Sequence, residues 1–315
     1  MVVKFKDYKQ LDGSVKTQIS QAGPIIRRFD KTPFPVKETD VICPHFMLCA
    51  WANGCMYNCA WCYLKGTFRF YGQKPNGRVP IKLKDRKRIA KDITAFLNAG
   101  IPSEMINTGE LSDSLLDEGE DAFSIWIMSY FKGTRHKILF LTKSTNVSNF
   151  LKHEWQKNAV VSWSINADMV ARTWEHLAPA VKDRLEAARQ VSEMGYEVRL
   201  RIDPMVPVMN WSTHYKNLVR DIADRLKPSR VTLGCLRGLI STIVHAKDKS
   251  WTKYLTENSN WGKKPDFANR LAMYRTIIDE LEATGIKTYS ICKDTLAMWK
   301  ALNLEMKKIK CNCTW

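Results

Sequence analysis

Short apolar segments alternate along the chain with segments whose apolar residues recur at helical spacing. KILFLT, AVVSWSIN, YEVRLRIDP and RVTLGC are each typical of a buried strand, and helical patterns lie between them. Strands that alternate with helices of this length form parallel βαβ units. Six or seven such units can be counted, and they predict an α/β fold with a partial (β/α)6, TIM-like barrel rather than a closed one.

The same patterns predict where the elements and the domains begin and end. The predicted strands cover residues 41–52, 104–109, 137–142, 159–166, 196–204, 230–235 and 286–291. The predicted helices cover residues 84–99, 122–131, 147–156, 181–194, 215–226 and 267–283. Residues 1–40 carry many charges and several prolines, so we expect an arm that lies over the main domain. The barrel then covers residues 41–240, and a C-terminal extension covers residues 241–315.

Three cysteines stand close together in GCMYNCAWCYL, directly after the first predicted strand. Cys55, Cys59 and Cys62 are separated by three and by two residues. Three thiolates in one tight loop suit the iron of a [4Fe-4S] cluster and leave its fourth iron without a protein ligand. Zinc sites usually have four ligands, so a zinc site here would also need His45 or Cys49. Packing of three buried cysteines is the other alternative.

This loop and its strand context resemble the radical S-adenosylmethionine (SAM) superfamily. In that superfamily the open iron binds SAM, and electron transfer into the sulfonium gives a 5′-deoxyadenosyl radical. The resemblance continues through LFLTKS, VSWSINAD, RLEAARQVSEMGYEVRLRIDP and RVTLGC, over roughly residues 45–240, and is to the spore photoproduct lyase branch. It implies SAM across the carboxyl ends of the strands, and an external electron donor such as a flavodoxin or a ferredoxin.

The resemblance also implies a set of SAM contacts. Gly109 and Glu110 stand where the superfamily carries a Gly-Gly-Glu-like motif that holds the SAM ammonium, and Lys143 matches a lysine near the SAM carboxylate. The remaining expected contacts are Tyr63 beside the adenine and Ser164, Asn166 and Arg201 at strand ends. Each of these residues has an ordinary alternative, as a turn residue, an exposed lysine or a structurally paired polar group. Together with the three cysteines, Glu110 is the expected catalytic group.

The chain departs from the lyase pattern at one position. In spore photoproduct lyases a cysteine just before a Ser-Asp pair gives hydrogen to the product radical, but here Glu110 and Leu111 precede Ser112 and Asp113. The tyrosines expected after the cluster loop are also missing from PNGRVPIKL. This departure disfavours simple dimer repair and favours a rearrangement or another modification.

Further cysteines lie outside the loop. Cys292 ends the last predicted strand, and Cys311 and Cys313 lie almost at the end of the sequence. Three soft ligands that fold together predict an auxiliary [4Fe-4S] cluster, and a redox-inert or disulfide-prone tail is the alternative. Cys235 is a candidate fourth ligand. We interpret Cys43 and Cys49 as packing residues, because free buried cysteine is common.

The charge predicts a polyanionic partner. The chain has 49 Lys and Arg against 32 Asp and Glu, a net charge of +17, which favours nucleic acid unless it only serves solubility. HAKDKSWTKYLTENSNWGKKPDF combines lysines with aromatic residues, as phosphate contact and base stacking require. The predicted contacts are Lys249, Trp251, Trp261, Lys263 and Lys264. The alternative is an ordinary lid whose tryptophans pack on the barrel.

The leading hypothesis is a radical SAM enzyme that acts on a thymine or thymine-derived base in DNA. The resemblance to phage-encoded relatives in DNA hypermodification favours isomerisation of a hypermodified thymine. Photoproduct repair by a lyase, RNA base modification and a zinc-stabilised nucleic-acid-binding module are the alternatives. No apolar run approaches the roughly 18 residues of a membrane span, and the N-terminal residues lack a signal-peptide pattern. We therefore expect a cytoplasmic monomer.

Overall fold

The computed structural model describes residues 3–72, 74–154 and 156–315, with a ten-stranded mixed sheet at its centre. In chain order the strands are β1 (Val3–Lys9), β2 (Val15–Ala22), β3 (Ile26–Phe29), β4 (Phe46–Cys49), β5 (Ala52–Asn53), β6 (Asn58–Cys59), β7 (Lys82–Leu83), β8 (Met105–Asn107), β9 (Lys137–Thr142), β10 (Ala159–Ile165), β11 (Glu175–His176), β12 (Glu197–Met205), β13 (Arg230–Cys235), β14 (Glu257–Ser259), β15 (Gly262–Lys264) and β16 (Tyr289–Ile291). The order in the main sheet is β1-β2-β3-β4-β8-β9-β10-β12-β13-β16. The six remaining strands form three short antiparallel pairs.

Seven neighbouring strands of the main sheet, from β4 to β16, run parallel. Most of their residues are buried, as expected for strands that are covered on both faces, and polar side chains such as Ser162, Arg199 and Thr232 are buried among the apolar ones. Within the described ranges the strand order is linear, so the sheet is an open barrel. The predicted α/β class and partial barrel are confirmed, and β9 and β13 have the bounds that the sequence predicts.

Ten α-helices in the described chain connect or cover these strands. They are α1 (Leu64–Thr67), α2 (Arg86–Leu97), α3 (Phe123–Phe131), α4 (Ser148–Lys152), α5 (Asp168–Trp174), α6 (Val181–Glu193), α7 (Trp211–Arg225), α8 (Ile240–His245), α9 (Phe267–Ala283) and α10 (Leu296–Ala301). Three 3₁₀ helices cover Arg69–Tyr71, Ser250–Tyr254 and Met306–Lys308. The predicted helix over 147–156 is shorter than expected, and Trp155 lies outside the described residues. Within the described ranges, no helix is both long and apolar enough to cross a membrane.

The N-terminal region differs from the predicted arm. Its strands β1, β2 and β3 form an antiparallel meander that continues the main sheet beyond β4. Most side chains of β1 are exposed, because an antiparallel edge of a sheet can face water on one side. The many charges therefore hid the strand pattern. The buried carboxylate of Asp92 in α2 accepts a hydrogen bond from the Ile25 amide at 2.9 Å, which ties the meander to the barrel.

The C-terminal region also shares the main sheet. The predicted extension begins at residue 241, but β16 within it is the seventh parallel strand. Before β16 the chain forms the hairpin β14–β15 and the long helix α9. Asp266 begins α9 by accepting a hydrogen bond from the Asn269 amide at 2.9 Å. After α10 the tail returns to the interior of the barrel, where Asn312 is buried.

Candidate active site

A cavity of about 390 Å³ opens at the carboxyl ends of the parallel strands. Six cysteines line it: Cys59 and Cys62 of the first loop, the later cysteines Cys292, Cys311 and Cys313, and Cys43. Most of the predicted SAM contacts line it too: Tyr63, Gly109, Glu110, Lys143, Ser164 and Arg201. The volume lies in the range of small-molecule sites. Residues as far apart in the sequence as Cys43 and Cys313 thus line one cavity.

The first cysteine loop is held by its own backbone. It begins at Gly54, whose φ of +85° favours glycine and where a Cβ would lie 2.1 Å from the Pro80 carbonyl oxygen. Cys59 lies in β6, which pairs with β11, and the Cys62 amide donates to the Cys59 carbonyl at 3.1 Å. The loop therefore has a fixed path that turns Cys59 and Cys62 towards the cavity.

The thiols of this loop are in a desolvated environment. Burial raises the pKa of Cys59 to about 12 and also raises the pKa of Cys62 above its ordinary value. Cys55 is half-buried, and its sulfur accepts a hydrogen bond from the Tyr57 amide at 3.4 Å. In the described part of the chain, no three His, Cys, Asp or Glu side chains could hold one metal ion. The loop supplies three thiolates, one fewer than zinc usually takes, and three thiolates leave one iron of a four-iron cluster open, so the loop fits a cluster better than zinc.

Glu110 lies at the cavity wall and contacts Tyr63. The Tyr63 hydroxyl donates to the Glu110 carbonyl oxygen. Tyr63 also interacts with the Glu110 carboxylate, and Arg201 interacts with that carboxylate electrostatically. A Cβ on Gly109 would lie 2.6 Å from the Leu141 Cβ and carbonyl oxygen. Glycine is therefore needed here for close packing, and a carboxylate at the cavity wall suits a cationic ligand group.

Lys143 follows β9 and lines the cavity beside the first loop. Its Nζ lies 3.6 Å from Glu175 Oε1, and the other oxygen of Glu175 accepts from Arg184 at 2.5 Å. Burial would lower the pKa of Lys143, but the negative charges of Glu175 and the loop thiolates raise it above the ordinary value. Lys143 therefore carries a positive charge into the cavity, as the predicted contact to a carboxylate requires.

Two of the strand-end predictions have different outcomes. Ser164 lines the cavity. Asn166 does not fit a SAM contact, because its buried amide donates to the Pro204 carbonyl at 2.8 Å and accepts from the Tyr215 hydroxyl at 2.9 Å. It lies beyond the end of β10, where the alternation of the strand no longer applies. The Asn166 prediction is corrected to a structural role.

Arg201 alternates on β12 with three other charged residues, Glu197, Arg199 and Asp203. Arg201 Nε donates to Asp203 at 3.2 Å, while its Nη2 donates to Cys292 Sγ at 2.9 Å. Arg199 is buried and donates to the carbonyl oxygens of Asn312 and Thr314 at 2.9 and 2.7 Å. Arg201 therefore lines the cavity as predicted, but its guanidinium contacts the second cysteine group.

The second cysteine group contains a member that the sequence did not assign to it. Cys43, Cys292, Cys311 and Cys313 all line the cavity, and Cys43 interacts electrostatically with Cys292 and Cys313. The hydrogen bond from Cys311 lowers the pKa of Cys313 to about 7, although burial opposes this shift. Cys235 is buried elsewhere, beside Tyr274. The fourth cysteine of the group is therefore Cys43 and not Cys235.

Comparison with known proteins places this site in a family. The family model described as spore photoproduct lyase matches residues 46–243, more than half of the chain. The chain belongs to the spore photoproduct lyase family. It is 27% identical to the spore photoproduct lyase of Clostridium acetobutylicum over 55% of this chain and 51% of that protein. It is 28% identical to that of a Geobacillus species over 56% of this chain and 50% of that protein. The chain thus spans about half the length of the curated relatives it matches.

The solved structures agree at the level of the fold. The chain is similar to a spore photoproduct lyase variant with bound AdoMet and dinucleoside spore photoproduct, with a TM-score of 0.64 and 18% identity. That match covers 78% of this chain and 76% of that chain. At this identity the likeness shows the fold alone. Together with the family match, it confirms the radical SAM resemblance that the sequence indicated.

Within the spore photoproduct lyase family, this chain has no cysteine before its Ser-Asp pair, and the structure shows what fills the position. Leu111 packs on the small cluster around Phe46, together with Cys43 and Cys313. Asp113 is buried and accepts from the Thr142 hydroxyl at 2.6 Å and from the Lys143 amide at 2.8 Å. Asp113 therefore positions the loop after β8 against the end of β9, and burial raises its pKa.

The predicted nucleic-acid contacts of this family member divide into three kinds. Trp251 is 0% exposed and Lys264 is 1% exposed. Trp251 donates to the Asp248 carbonyl and Lys264 to the Lys293 carbonyl, so neither can contact a nucleic acid here, and both predictions are corrected. Lys249 and Lys263 are exposed. Trp261 lines the cavity instead of the outer surface, with Lys293 Nζ 3.9 Å from its ring centre.

Two residues of the cavity wall are not predicted from the sequence. Arg237 lines the cavity and donates to both oxygens of Asp203 at 2.9 and 2.7 Å, but it belongs to no motif. Cys43 stood alone in an apolar segment and was interpreted as packing. The presence of three other unpaired cysteines was the one signal that a distant fourth was needed.

Proposed function

We propose that this member of the spore photoproduct lyase family is a radical SAM enzyme that rearranges a thymine-derived base in DNA. The observation that carries the proposal is the shared cavity. It brings Cys59 and Cys62 of the cysteine loop, the acidic Glu110 and the charged Lys143 together at the carboxyl ends of the parallel strands. This is the face on which barrels of this kind place their chemistry.

The residues of the chain have separate tasks in this proposal. Cys55, Cys59 and Cys62 would hold a [4Fe-4S] cluster, which when bound would supply the electron that cleaves SAM. Glu110 is placed to bind the ammonium group of SAM, and Lys143 its carboxylate, because each presents the opposite charge at the cavity wall. An electron donor such as a flavodoxin or ferredoxin belongs to this proposal, as does a cytoplasmic monomer.

The surface beside the cavity supports a nucleic-acid substrate. Thr67 of α1 and Thr242 of α8 line the cavity, and the two helices pack directly, since a Cβ on Gly66 would lie 2.7 Å from the Thr242 amide nitrogen. Just beyond α1, Phe70 is 81% exposed, with the Arg69 guanidinium 4.2 Å from its ring centre. A base must leave the duplex to reach a buried site. We propose that Phe70 inserts into the duplex at the position that the flipped base leaves.

The reaction type rests on the missing hydrogen donor. After hydrogen is taken from the substrate, a repair lyase needs a donor that quenches the radical left by bond scission. Leu111 occupies the position just before Ser112 and cannot give hydrogen in this way. A rearranged substrate radical can instead take hydrogen back from 5′-deoxyadenosine. The balance is then neutral, because the substrate loses and regains one hydrogen atom and its mass does not change.

The test uses a duplex oligonucleotide that contains one thymine with glycine on its methyl group, deuterated at the reacting carbon. From unlabelled substrate we expect reduced enzyme and SAM to give a nucleoside of unchanged mass and altered chromatographic retention. From the deuterated substrate we expect deuterium in 5′-deoxyadenosine and in recovered SAM, with a matching loss of up to one mass unit from the product nucleoside. The variant Cys59→Ala should give neither product, whereas Cys49→Ala, buried outside the cavity wall, should behave as wild type. Deuterium that stays in the substrate while wild-type enzyme cleaves SAM would contradict the rearrangement.

Photoproduct repair is the second candidate, and a specific observation favours it. Four cysteines outside the first loop line the cavity, so a thiol could replace the missing donor. Curated relatives of the chain are spore photoproduct lyases. Efficient splitting of spore photoproduct into two thymines would establish this function in place of isomerisation. Activity on RNA but not on DNA would instead identify RNA as the substrate. Purified protein that binds zinc and no iron would favour a zinc-stabilised nucleic-acid-binding module.

A further inference from the structure

Four cysteines from three distant parts of the chain surround one side of the cavity. Cys43 precedes β4, Cys292 follows β16, and Cys311 and Cys313 belong to the tail. All four are free cysteines. Cys311 interacts with each of the other three, by a hydrogen bond with Cys313 and electrostatically with Cys43 and Cys292. Nothing in the proposed cleavage of SAM uses this group.

Backbone contacts between the two ends of the barrel bring Cys43 to Cys292. The Ile42 amide donates to the Asp294 carbonyl at 2.8 Å, and the Leu296 amide donates to the Asp40 carbonyl at 2.8 Å. Lys264, which is buried, donates to the Lys293 carbonyl at 2.6 Å. These bonds therefore hold the segment that carries Cys43 next to the segment that carries Cys292.

The tail is held by the residue between its two cysteines. Asn312 is 1% exposed. Its Nδ2 donates to Ser162 Oγ at 2.6 Å and to the Leu200 carbonyl at 2.9 Å, and its Oδ1 accepts from Thr232 Oγ1 at 2.8 Å. Three neighbouring strands thus bind one buried amide. Because Asn312 is anchored inside the barrel, Cys311 and Cys313 are both held at the cavity wall.

Positive groups surround the four sulfurs. Arg201 Nη2 lies 2.9 Å from Cys292 Sγ, and Arg237 Nη2 lies 4.0 Å from the same sulfur. Lys293 interacts electrostatically with Cys43 and with Cys313. Asn107 Nδ2 lies 4.0 Å from Cys313 Sγ. N–H groups and cations directed at sulfur stabilise thiolates and are the groups that tune iron–sulfur clusters.

The space beside the four cysteines favours a cluster over a zinc ion. A zinc ion draws its four ligands to one point at about 2.3 Å from each sulfur and needs no space beyond them. The four sulfurs instead belong to the wall of a cavity. Four thiolates, each bound to a different iron, complete a [4Fe-4S] cluster without an open iron.

We propose that Cys43, Cys292, Cys311 and Cys313 bind a second [4Fe-4S] cluster, fully ligated by protein and suited to electron transfer. The proposal goes beyond the proposed function, since SAM cleavage needs only the first loop. It also bears on that function, because thiolates that bind iron are not free to give hydrogen. This site would therefore leave rearrangement as the favoured reaction.

The test starts from the full chain with Cys55→Ala, Cys59→Ala and Cys62→Ala combined, reconstituted without oxygen. We expect about four irons and about four sulfides per chain, against about eight of each in wild type. Adding Cys311→Ala and Cys313→Ala should reduce both to near zero, with an unchanged circular dichroism spectrum. A triple variant that folds but binds no iron and sulfide, or binds only zinc, would overturn the proposal. SAM cleavage by wild type is measured separately, so the two proposals can fail independently.

The role of Cys43 has its own readout. In the triple background, Cys43→Ala should leave one iron open, so that added cyanide shifts the electron paramagnetic resonance signal of the reduced cluster. The same background with Cys43 intact, or with Cys49→Ala as the matched control, should show no shift. Cyanide sensitivity with Cys43 intact would remove it from the ligand set.

Discussion

The two cysteine groups of the cavity are built in opposite ways. Cys55, Cys59 and Cys62 lie within eight residues of sequence, and short-range backbone bonds and the β6–β11 pair hold their loop. Cys43, Cys292, Cys311 and Cys313 span almost the whole chain and meet only through bonds between the ends of the barrel and the buried Asn312. The first group is therefore a property of one loop, and the second a property of the complete fold.

The two groups have similar charged surroundings. Lys65, Lys143 and Arg184 interact with the thiols of the first group, and Glu175 pairs with two of these cations. Arg201, Arg237 and Lys293 lie beside the second group, and Asp203 pairs with two of them. The groups differ instead in the number of thiols, because three leave one iron of a cluster open for a ligand and four do not. The comparison thus predicts that damage to the two groups has different consequences.

The largest expected difference is in SAM cleavage. Cys59→Ala should lower the formation of 5′-deoxyadenosine to the level of the protein-free reaction, because the first cluster loses a ligand. Cys311→Ala combined with Cys313→Ala should leave cleavage clearly measurable. Chromatography of single-turnover reactions with dithionite checks both. Equal loss in the two variants would show that the groups do not act separately.

The next effect concerns the stability of the second group. Asn312→Ala should lower the free energy of unfolding by about 3 kcal/mol, because it leaves buried partners on three strands unsatisfied. Urea denaturation of the anaerobic protein measures this loss. Asn98→Ala, at an exposed helix end, should change stability by less than about 0.5 kcal/mol. A loss no larger than that of the control would mean that the tail is not anchored by Asn312.

A pH-dependent effect separates the buried lysine next to the second group from its exposed neighbour. Burial lowers the pKa of Lys264 to about 8, so its charge destabilises the folded state below that pH. This penalty disappears as the pH rises towards the ordinary value of about 10.5. The free energy of unfolding of wild type, relative to Lys264→Met, should therefore increase by up to about 3 kcal/mol between pH 8 and 10.5. Lys263→Met should show no such increase.

The smallest effect is on nucleic-acid binding by two exposed lysines, one before the β14–β15 hairpin and one within it. Lys249→Ala with Lys263→Ala should reduce the slope of log affinity against log salt for duplex DNA by about 2, one phosphate contact each. Lys182→Ala, on the outward side of α6, should leave the slope unchanged. Fluorescence anisotropy over a range of salt measures both. An unchanged slope in the double variant would place the DNA elsewhere, and the exposed Phe70 would be the next residue to replace.

Local chemistry explains why much of this protein could be inferred from its sequence. The parallel α/β fold, the bounds of β9, β13 and α9, and the cysteine loop all follow from patterns within a few residues of each other. The positions of Glu110 and Lys143 at the cavity wall follow for the same reason, since they lie three residues and one residue after strands whose ends face the cavity. The N-terminal strands were missed because their exposed face carries charges, which resemble an irregular arm.

Long-range packing decided the rest. Nothing in the sequence near Asn166 shows that Tyr215 and the Pro204 carbonyl occupy its amide, and nothing near Trp251 or Lys264 shows that folding buries them. Cys43 joins Cys292 because the ends of an open barrel are bridged by backbone hydrogen bonds that no local pattern encodes. The sequence by itself determined the fold class and the first cysteine group. Only the tertiary structure decided which cysteines form the second group, because their proximity depends on the hydrogen bonds that join the two ends of the open barrel.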